Sequence, residues 1–467
     1  MRVSLADEII ETNVYNVRAI LQAGIDVNQF DEYGFTYLVE AAIADNVEIA
    51  RLLIEYGANV NLPDSTGGTP LHWAAENNNL ALCQLLLEHQ TNPNAYNFSG
   101  QPALVMPLLR HQLAVRRLLV KYGADLAFAR DFINTKLLGH MFELVGTADI
   151  IAPDNQFVEM DFEGFFLEFS ISVISDSLLQ FRNHFAARKF RRFNPVIDMI
   201  IKVLERSGQL IKHLQYRTDL SQHNDKIEAL IRQEPLIIPI GYEGHAITFI
   251  KLGNLLAKCD RREDSRLYDN IVIYQINRPA VFNTEFIKHF IYDKKSDQFV
   301  NEELPALLDL QPLTELKIEA QVSGNCSWAN VEATLPTLFF LLTMGSAQDG
   351  QGLPPLKTQT LDFFKQWREW NKDRALRFCI RTFRDDDSVR NACKAEILAA
   401  ILYQRCNVQN FADHERIELI LSVLSQPAYR HVLDNYIRIY CYESFSQEGK
   451  DFAQMLKRFG YEYSRKK

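Results

Sequence analysis

The residues with the clearest chemical potential gather around Cys326. It stands in the string Gln321-Val322-Ser323-Gly324-Asn325-Cys326-Ser327-Trp328-Ala329-Asn330, at a Gly-Asn turn before an apolar helix expected over 331–343. A thiol at a helix start loses its proton more readily, and the thiolate is the nucleophile. Free backbone N–H groups there would face a developing oxyanion, and the amide of Gln321, five residues upstream, would add a donor. His245 begins a short β-rich run, Ala246-Ile247-Thr248-Phe249-Ile250, where a strand would hold its ring rigidly. Asp260 follows fifteen residues on, at the end of the next run, so a hairpin would bring it back to orient the imidazole. Nucleophile, base and orienting carboxylate are what a thiol hydrolase or acyltransferase needs. Asp269 and Asn254 are alternative third members. A Cys-first arrangement with His414 or His431 and Asn435 is a further alternative, though those residues fall in helical sequence. Against all of these stands an inert thiol buried in the core, the commonest state of a free cysteine.

The elements that must position these groups are short. Apolar, β-branched runs predict strands over 236–240, 246–250, 255–258, 271–276, 290–292 and 316–320. Residues 161–216 read as mostly helical and include Arg188-Lys189-Phe190-Arg191-Arg192-Phe193. Interleaved basic and aromatic residues can serve nucleic-acid contact, but a solvated helix face with two core phenylalanines is the reading favoured. Helical periodicity returns over 358–382, 387–405, 414–424, 428–444 and 447–459, and Asp385-Asp386-Asp387-Ser388 reads as a turn and helix start.

The chain order His245, Asp260, Gln321, Cys326 resembles the adenain and SUMO-protease class of cysteine peptidases, which also includes bacterial effector acetyltransferases. The resemblance covers roughly residues 230–345. It implies a strand-borne His245 as base, Asp260 as orienter, Gln321 at the oxyanion and Cys326 as nucleophile. The Gly-Asn-Cys-Ser-Trp string also echoes the papain-type Cys-Gly-Ser-Cys-Trp box. Two features depart from these patterns. In the papain order the Cys comes first, and the Gln-to-Cys spacing of five is one short of that usual in the SUMO-protease class.

Upstream the sequence repeats itself. Gly24, Gly57, Gln90 and Gly123 are 33 residues apart, as are Gly34, Gly67 and Gly100. Gly68-Thr69-Pro70-Leu71-His72-Trp73-Ala74-Ala75 matches the ankyrin signature T-P-L-H-x-A at the ankyrin period. Pro70 suits a first helical turn, and glycine before each Asn/Asp phrase suits a left-handed helix end. His72 is expected to be a structural, turn-bonded histidine. About four repeats are expected, atypical at both ends as capping units are, with a weaker fifth unit starting near Ile133–Leu138. The turn tips carry the expected partner-binding residues Tyr33, Asp64, Ser65, Tyr96, Asn97 and Phe98.

Bulk properties set the frame. A net charge of −9 over 467 residues gives no broad attraction to nucleic acid, and direct nucleic-acid binding is not expected. Seven scattered cysteines without a CxxC pair fit neither a disulfide framework nor a zinc site, so no metal or cofactor is expected. The first residues lack a secretory signal pattern, and no apolar run reaches the ~18 residues of a membrane span. The fold class expected is α+β multidomain. It comprises an all-α ankyrin solenoid over 1–148, a central α/β cysteine-protease-like domain (papain/SUMO-protease-like) over 149–350 and a helical region over 351–467. Taken whole, the chain resembles the ankyrin-repeat effectors that intracellular bacteria inject into host cells. That resemblance implies type IV secretion, a host cytoplasmic or nuclear site, and a monomer that grips a host protein through its repeats. The protease-like domain would then be either a thiol hydrolase or acyltransferase, or a non-catalytic scaffold.

Overall fold

The computed structural model describes residues 4–162, 167–215, 224–242, 245–261, 270–321, 325–344, 352–383, 389–443 and 446–461. Asp269 and the Asp385–Ser388 cluster lie outside them. Eight short helices come first: α1 (Leu5–Ile10), α2 (Val14–Gln22), α3 (Tyr37–Ile43), α4 (Val47–Glu55), α5 (Pro70–Glu76), α6 (Leu80–Glu88), α7 (Val105–Leu109) and α8 (Leu113–Lys121). Then come α9 (Leu126–Met141), strands β1 (Thr147–Ile151) and β2 (Phe157–Asp161), α10 (Leu167–Asn183), a 3₁₀ helix over Phe185–Phe193, α11 (Asn194–Gln215) and α12 (Asn224–Ile231). The sheet strands are β3 (Leu236–Tyr242), β4 (His245–Leu252), β5 (Leu255–Cys259), β6 (Ile271–Ile276) and, after α13 (Thr284–Tyr292) and α14 (Leu304–Leu308), β7 (Leu310–Leu316). Helices complete the chain: α15 (Cys326–Glu332), α16 (Thr334–Met344), α17 (Leu353–Arg381), α18 (Val389–Arg405), α19 (Phe411–Leu424), α20 (Arg430–Tyr436) and α21 (Gln447–Arg458).

Two compact units emerge, each discontinuous in sequence. The first holds Met1–Leu126 and Gly164–Trp367, the second Ala127–Glu163 and Arg368–Lys467. In the first unit the repeat helices stack in two rows, α1, α3, α5, α7 and α2, α4, α6, α8. Their 33-residue period is a backbone requirement. Positive φ recurs at Thr12, Asp45, Asn78 and His111 between paired helices, at Gly24, Gly57, Gln90 and Gly123 after the second helix, and at Gly34, Gly67 and Gly100 in the turn tips. Asn13, Asn46 and Asn79 cap the second helix of successive repeats with their side chains, whereas Gln112 at the next equivalent position makes no cap bond. The expected fifth repeat is not formed. Ile133–Leu138 lies inside the 16-residue α9, which belongs to the second unit.

The rest of the first unit is built on an antiparallel five-stranded meander, β3-β4-β5-β6-β7. Ile247, Thr248, Phe249 and Ile250 are all buried, so β4 is covered on both faces. One face joins Ile238, Ile247, Phe249 and Leu256 to Leu210, Ile227, Ile287 and Phe290 in a single apolar cluster. On the other, α15 and α16 lie across β4, and the Cys259 thiol sits 3.3 Å from the Thr337 hydroxyl. Two strand expectations are corrected. Phe290–Tyr292 ends helix α13, whose buried Ile287, Phe290 and Ile291 follow helical spacing. The last strand is Leu310–Leu316, and its mostly exposed side chains and Pro312 suit an edge.

In the second unit β1 and β2 form a hairpin just before the region expected to be helical, where no strand was expected. Helix α18 packs on β1, and the buried Asp131 of α9 pairs with Arg390 and Lys394 of α18 at 3.2 Å each.

Candidate functional site

His245 is the first residue of β4 and Asp260 follows β5 directly. Because β4 and β5 pair antiparallel, with Thr248 opposite Cys259, the carboxylate returns to the imidazole. His245 Nε2 lies 3.0 Å from Asp260 Oδ1, and Lys258 Nζ is 3.5 Å from Asp260 Oδ2. The His245 ring is also hydrogen-bonded to the Cys326 thiol, leaving Nδ1 as the nitrogen to face the sulfur. Burial alone would make His245 less basic, but Asp260 and Cys326 overcome it and raise its pKa to about 9. The Cys326 thiol moves the other way. The bond from His245 is the main cause, burial opposes it, and backbone hydrogen bonds from Ala246 and Ser327 add to the lowering. The two shifts favour passage of the thiol proton to the ring, and the thiol is half-buried.

Five other cysteines behave oppositely. Burial drives the thiols of Cys83, Cys259, Cys379 and Cys406 up to about 12 and that of Cys393 up to about 11. Alternative partners are not engaged either. Asn254 sits in the turn at the far end of β4, an eight-residue strand rising ~3.3 Å per residue, and so is well removed from His245. His414 Nε2 bonds the Val408 carbonyl at 2.7 Å.

Gln321 is buried, and its backbone N–H donates to the Arg261 carbonyl at 2.9 Å, which ties it to the residue after Asp260. Its side-chain Oε1 has no partner among the described residues. Sequence reasoning missed the residue that ties the site together. Asn330, one turn after Cys326 on α15, donates from Nδ2 to the carbonyl of Ala246 and accepts at Oδ1 from the Arg261 N–H at 2.8 Å. Those are the chain neighbours of His245 and Asp260. Beside it the guanidinium of Arg261 pairs with Glu332 at 2.7 Å, with both side chains 1% exposed or less, and donates to the Glu319 carbonyl at 2.8 Å. The signal was present as an Asn and a Glu inside an apolar helix, since buried polar groups need partners.

The repeat surface has its own geometry. Asp31, Asp64 and Asn97, again 33 apart, each accept from the backbone N–H groups two and four residues ahead and so close the turn tips. Two of the expected partner-binding residues thus have oxygens engaged in holding the turns. Asp64 is 3% exposed and also takes the Trp73 indole N–H at 2.8 Å, and the Asn97 carbonyl oxygen is committed to its own turn. Tyr33, Ser65, Tyr96 and Phe98 are exposed, Phe98 by 79%. His72 is structural as expected: Nδ1 meets the Thr69 backbone N–H and hydroxyl, and Nε2 the Gln101 carbonyl at 3.1 Å.

Comparison with known proteins agrees with this architecture. The family model for ankyrin repeats (many copies) matches residues 38–87. A search of the curated proteins finds no match. The solved structure of the Legionella effector AnkH aligns with a TM-score of 0.91 and 38% identity, covering 99% of this chain and 98% of that one. The chain belongs to the AnkH family of ankyrin-repeat effectors. The match extends over both compact units, so the AnkH-like architecture comprises the repeats, the sheet with α15 and the C-terminal helices together. Within this AnkH-like chain the basic run is part of the fold. Phe190 and Phe193 pack on Phe363 and Phe339 at 5.3 and 5.1 Å, and Arg188 and Arg192 stack over Phe185 and Phe193 at 4.4 and 4.6 Å. Among the described residues no helix is long and apolar enough to cross a membrane.

Proposed function

We propose that this protein is an effector delivered into a host cell by type IV secretion, where its repeats hold a host protein and Cys326 acts as the nucleophile of a cysteine-protease-like domain. The observation that carries the catalytic half is the hydrogen-bonded series Asp260–His245–Cys326, with the thiol's pKa lowered while five other thiols are pushed up. The thiolate attacks an amide or acyl carbonyl carbon, and a thioester forms as the carbon–leaving-group bond breaks. The His245 imidazolium gives its proton to the departing group, then accepts one from the water or acceptor that resolves the thioester. Gln321 is assigned to the oxyanion. Its burial and its tether to Arg261 support that role.

The test is alkylation by iodoacetamide, with Cys326→Ala as the blank. An ordinary cysteine has a pKa of 9.0, so a lowered one reacts at pH 7. His245→Ala should cut Cys326 alkylation at pH 7 by at least about tenfold, because the thiol returns toward its ordinary value. Acyl transfer, unlike alkylation, should fall as pH rises through about 9, where the imidazolium loses its proton. Equal labelling of wild type and Cys326→Ala would overturn the catalytic reading and favour the second one. In that reading the domain is a further docking surface, a role the exposed tips serve without chemistry.

A further inference from the structure

A crevice between the inner repeat helices and α10 is untouched by the cysteine chemistry. It has two chambers, of about 170 and 350 Å³. Glu76 and Glu168 line both. Phe35, Trp73 and Phe169 wall the smaller one, and the first two rings meet edge-on at 6.2 Å. Arg110, His111, Asp176 and Glu205 line the larger one, where His111 is paired to Asp176 at 3.1 Å.

Two carboxyls face one guanidinium here. Glu168 is 2% exposed; its Oε1 takes Arg110 Nη2, and Oε2 has no donor among the described residues. The same Nη2 is 3.6 Å from Glu76 Oε1, so two carboxyls share one guanidinium nitrogen. His72, which also lines the smaller chamber, is made less basic by burial. Burial first, then the neighbouring Glu76, push the Glu168 carboxyl up to about 8 despite Arg110. Such a carboxyl keeps its proton, shared toward Glu76, until a cation takes that place. The ring walls suit the same guest, because aromatic faces attract ammonium and guanidinium groups. A chamber of about 170 Å³ falls below the ~300–1,000 Å³ of small-molecule pockets and matches one long side chain.

We propose that the crevice receives a lysine or arginine side chain from an extended segment of the partner, its cation seated between Glu76 and Glu168 and its methylenes against Phe35, Trp73 and Phe169. The peptide on either side would run into the larger chamber. This rests on the reading that the repeats bind a protein, and it supplies the chemistry of what they bind.

The probes are blocked pentapeptides, Ala-Ala-X-Ala-Ala, with lysine, arginine or acetyl-lysine at X, titrated calorimetrically into the full chain. The expected result is saturable binding of a cationic peptide with Kd on the order of 1 mM or tighter. Acetyl-lysine and the Glu168→Gln variant should each weaken it by at least about tenfold, 1.4 kcal/mol. Glu168→Gln removes a buried acid that must shed its proton on unfolding, so it should melt no lower than wild type at pH 7. Tyr15, on α2 and 82% exposed, lines neither chamber, so Tyr15→Ala should leave the affinity unchanged. Absence of saturable binding by either cationic peptide, equal binding of acetyl-lysine, or full retention in Glu168→Gln overturns the proposal. Because the seat for the cation is built from Glu76 and Glu168, that failure would leave the exposed tip rings and the Cys326 reading standing.

Discussion

Asn61 and Asn330 use the same side chain in the same way and differ in everything around it. Asn61 accepts from the Asn92 N–H at 2.7 Å and donates to the Gln90 carbonyl at 3.3 Å, joining one repeat to the next. Asn28 and Asn94 repeat that pair of bonds 33 residues before and after it. All of these bonds are at or near the surface, where water can replace a lost one. Asn330 makes its two bonds between α15 and the ends of β4 and β5, segments 69 and 84 residues away in sequence. Nothing in the sequence repeats it. A solenoid distributes its cohesion over equivalent contacts between neighbours, whereas the cysteine site gathers distant segments on one amide.

The largest effect should therefore come from Asn330→Ala. It strands the Arg261 N–H and the Ala246 carbonyl where the helix covers them, and each unpaired buried group costs ~1–3 kcal/mol, so the loss should be about 2–5 kcal/mol. The same change frees His245 and Asp260 from α15, so Cys326 alkylation at pH 7 should fall along with stability. Denaturant unfolding and the iodoacetamide rate measure the two separately. Asn330→Asp, which keeps the acceptor for Arg261 but adds a charge, should not restore the thiol. A stability loss no greater than that of a ladder asparagine would break the contrast between the two sites.

Asn61→Ala should be milder, roughly 1–2 kcal/mol for two exposed hydrogen bonds, with Cys326 reactivity unchanged. The unfolding transition should show this as a shifted midpoint at constant slope. A shift in thiol reactivity would mean that the repeats and the cysteine site are coupled, which their separate hydrogen-bond systems do not predict.

The same contrast explains what could be read in advance. The repeats were legible because each structural demand recurs: left-handed turns at Gly24, Gly57 and Gly123, and the turn-bonded His72 of the ankyrin phrase. That periodicity also misled, since turn residues that looked like a projecting surface, Asp64 and Asn97, hold the turn itself. The meeting of His245 and Asp260 was legible because a hairpin reverses a chain, so a residue past the second strand returns to the start of the first. Asn330, Arg261 and Glu332 were not, because a long-range polar contact leaves no local pattern. The hairpin β1–β2 was missed although Phe157–Asp161 alternates exposed and buried side chains, a signal only five residues long. Phe290–Tyr292 was misread because so short an apolar run fits either period.

The smallest effect on the fold, and the sharpest on binding, should come from Phe98→Ala. The ring is 79% exposed, yet its backbone is fixed: the Phe98 N–H donates to the Thr66 carbonyl at 2.9 Å, one tip bonded to the one before it. Alanine keeps that bond, so stability should change by less than about 0.5 kcal/mol. If the tips carry the partner, loss of a large aromatic anchor should weaken capture by about 1–2 kcal/mol or more, read by calorimetry once a partner is in hand. Asp64→Ala at the neighbouring tip should do the reverse: it removes acceptors from Thr66, Gly68 and Trp73 and so unfolds its repeat before any binding surface is tested. Two tip residues with opposite signatures, one changing affinity and the other stability, separate the face that meets a partner from the bonds that hold it in place.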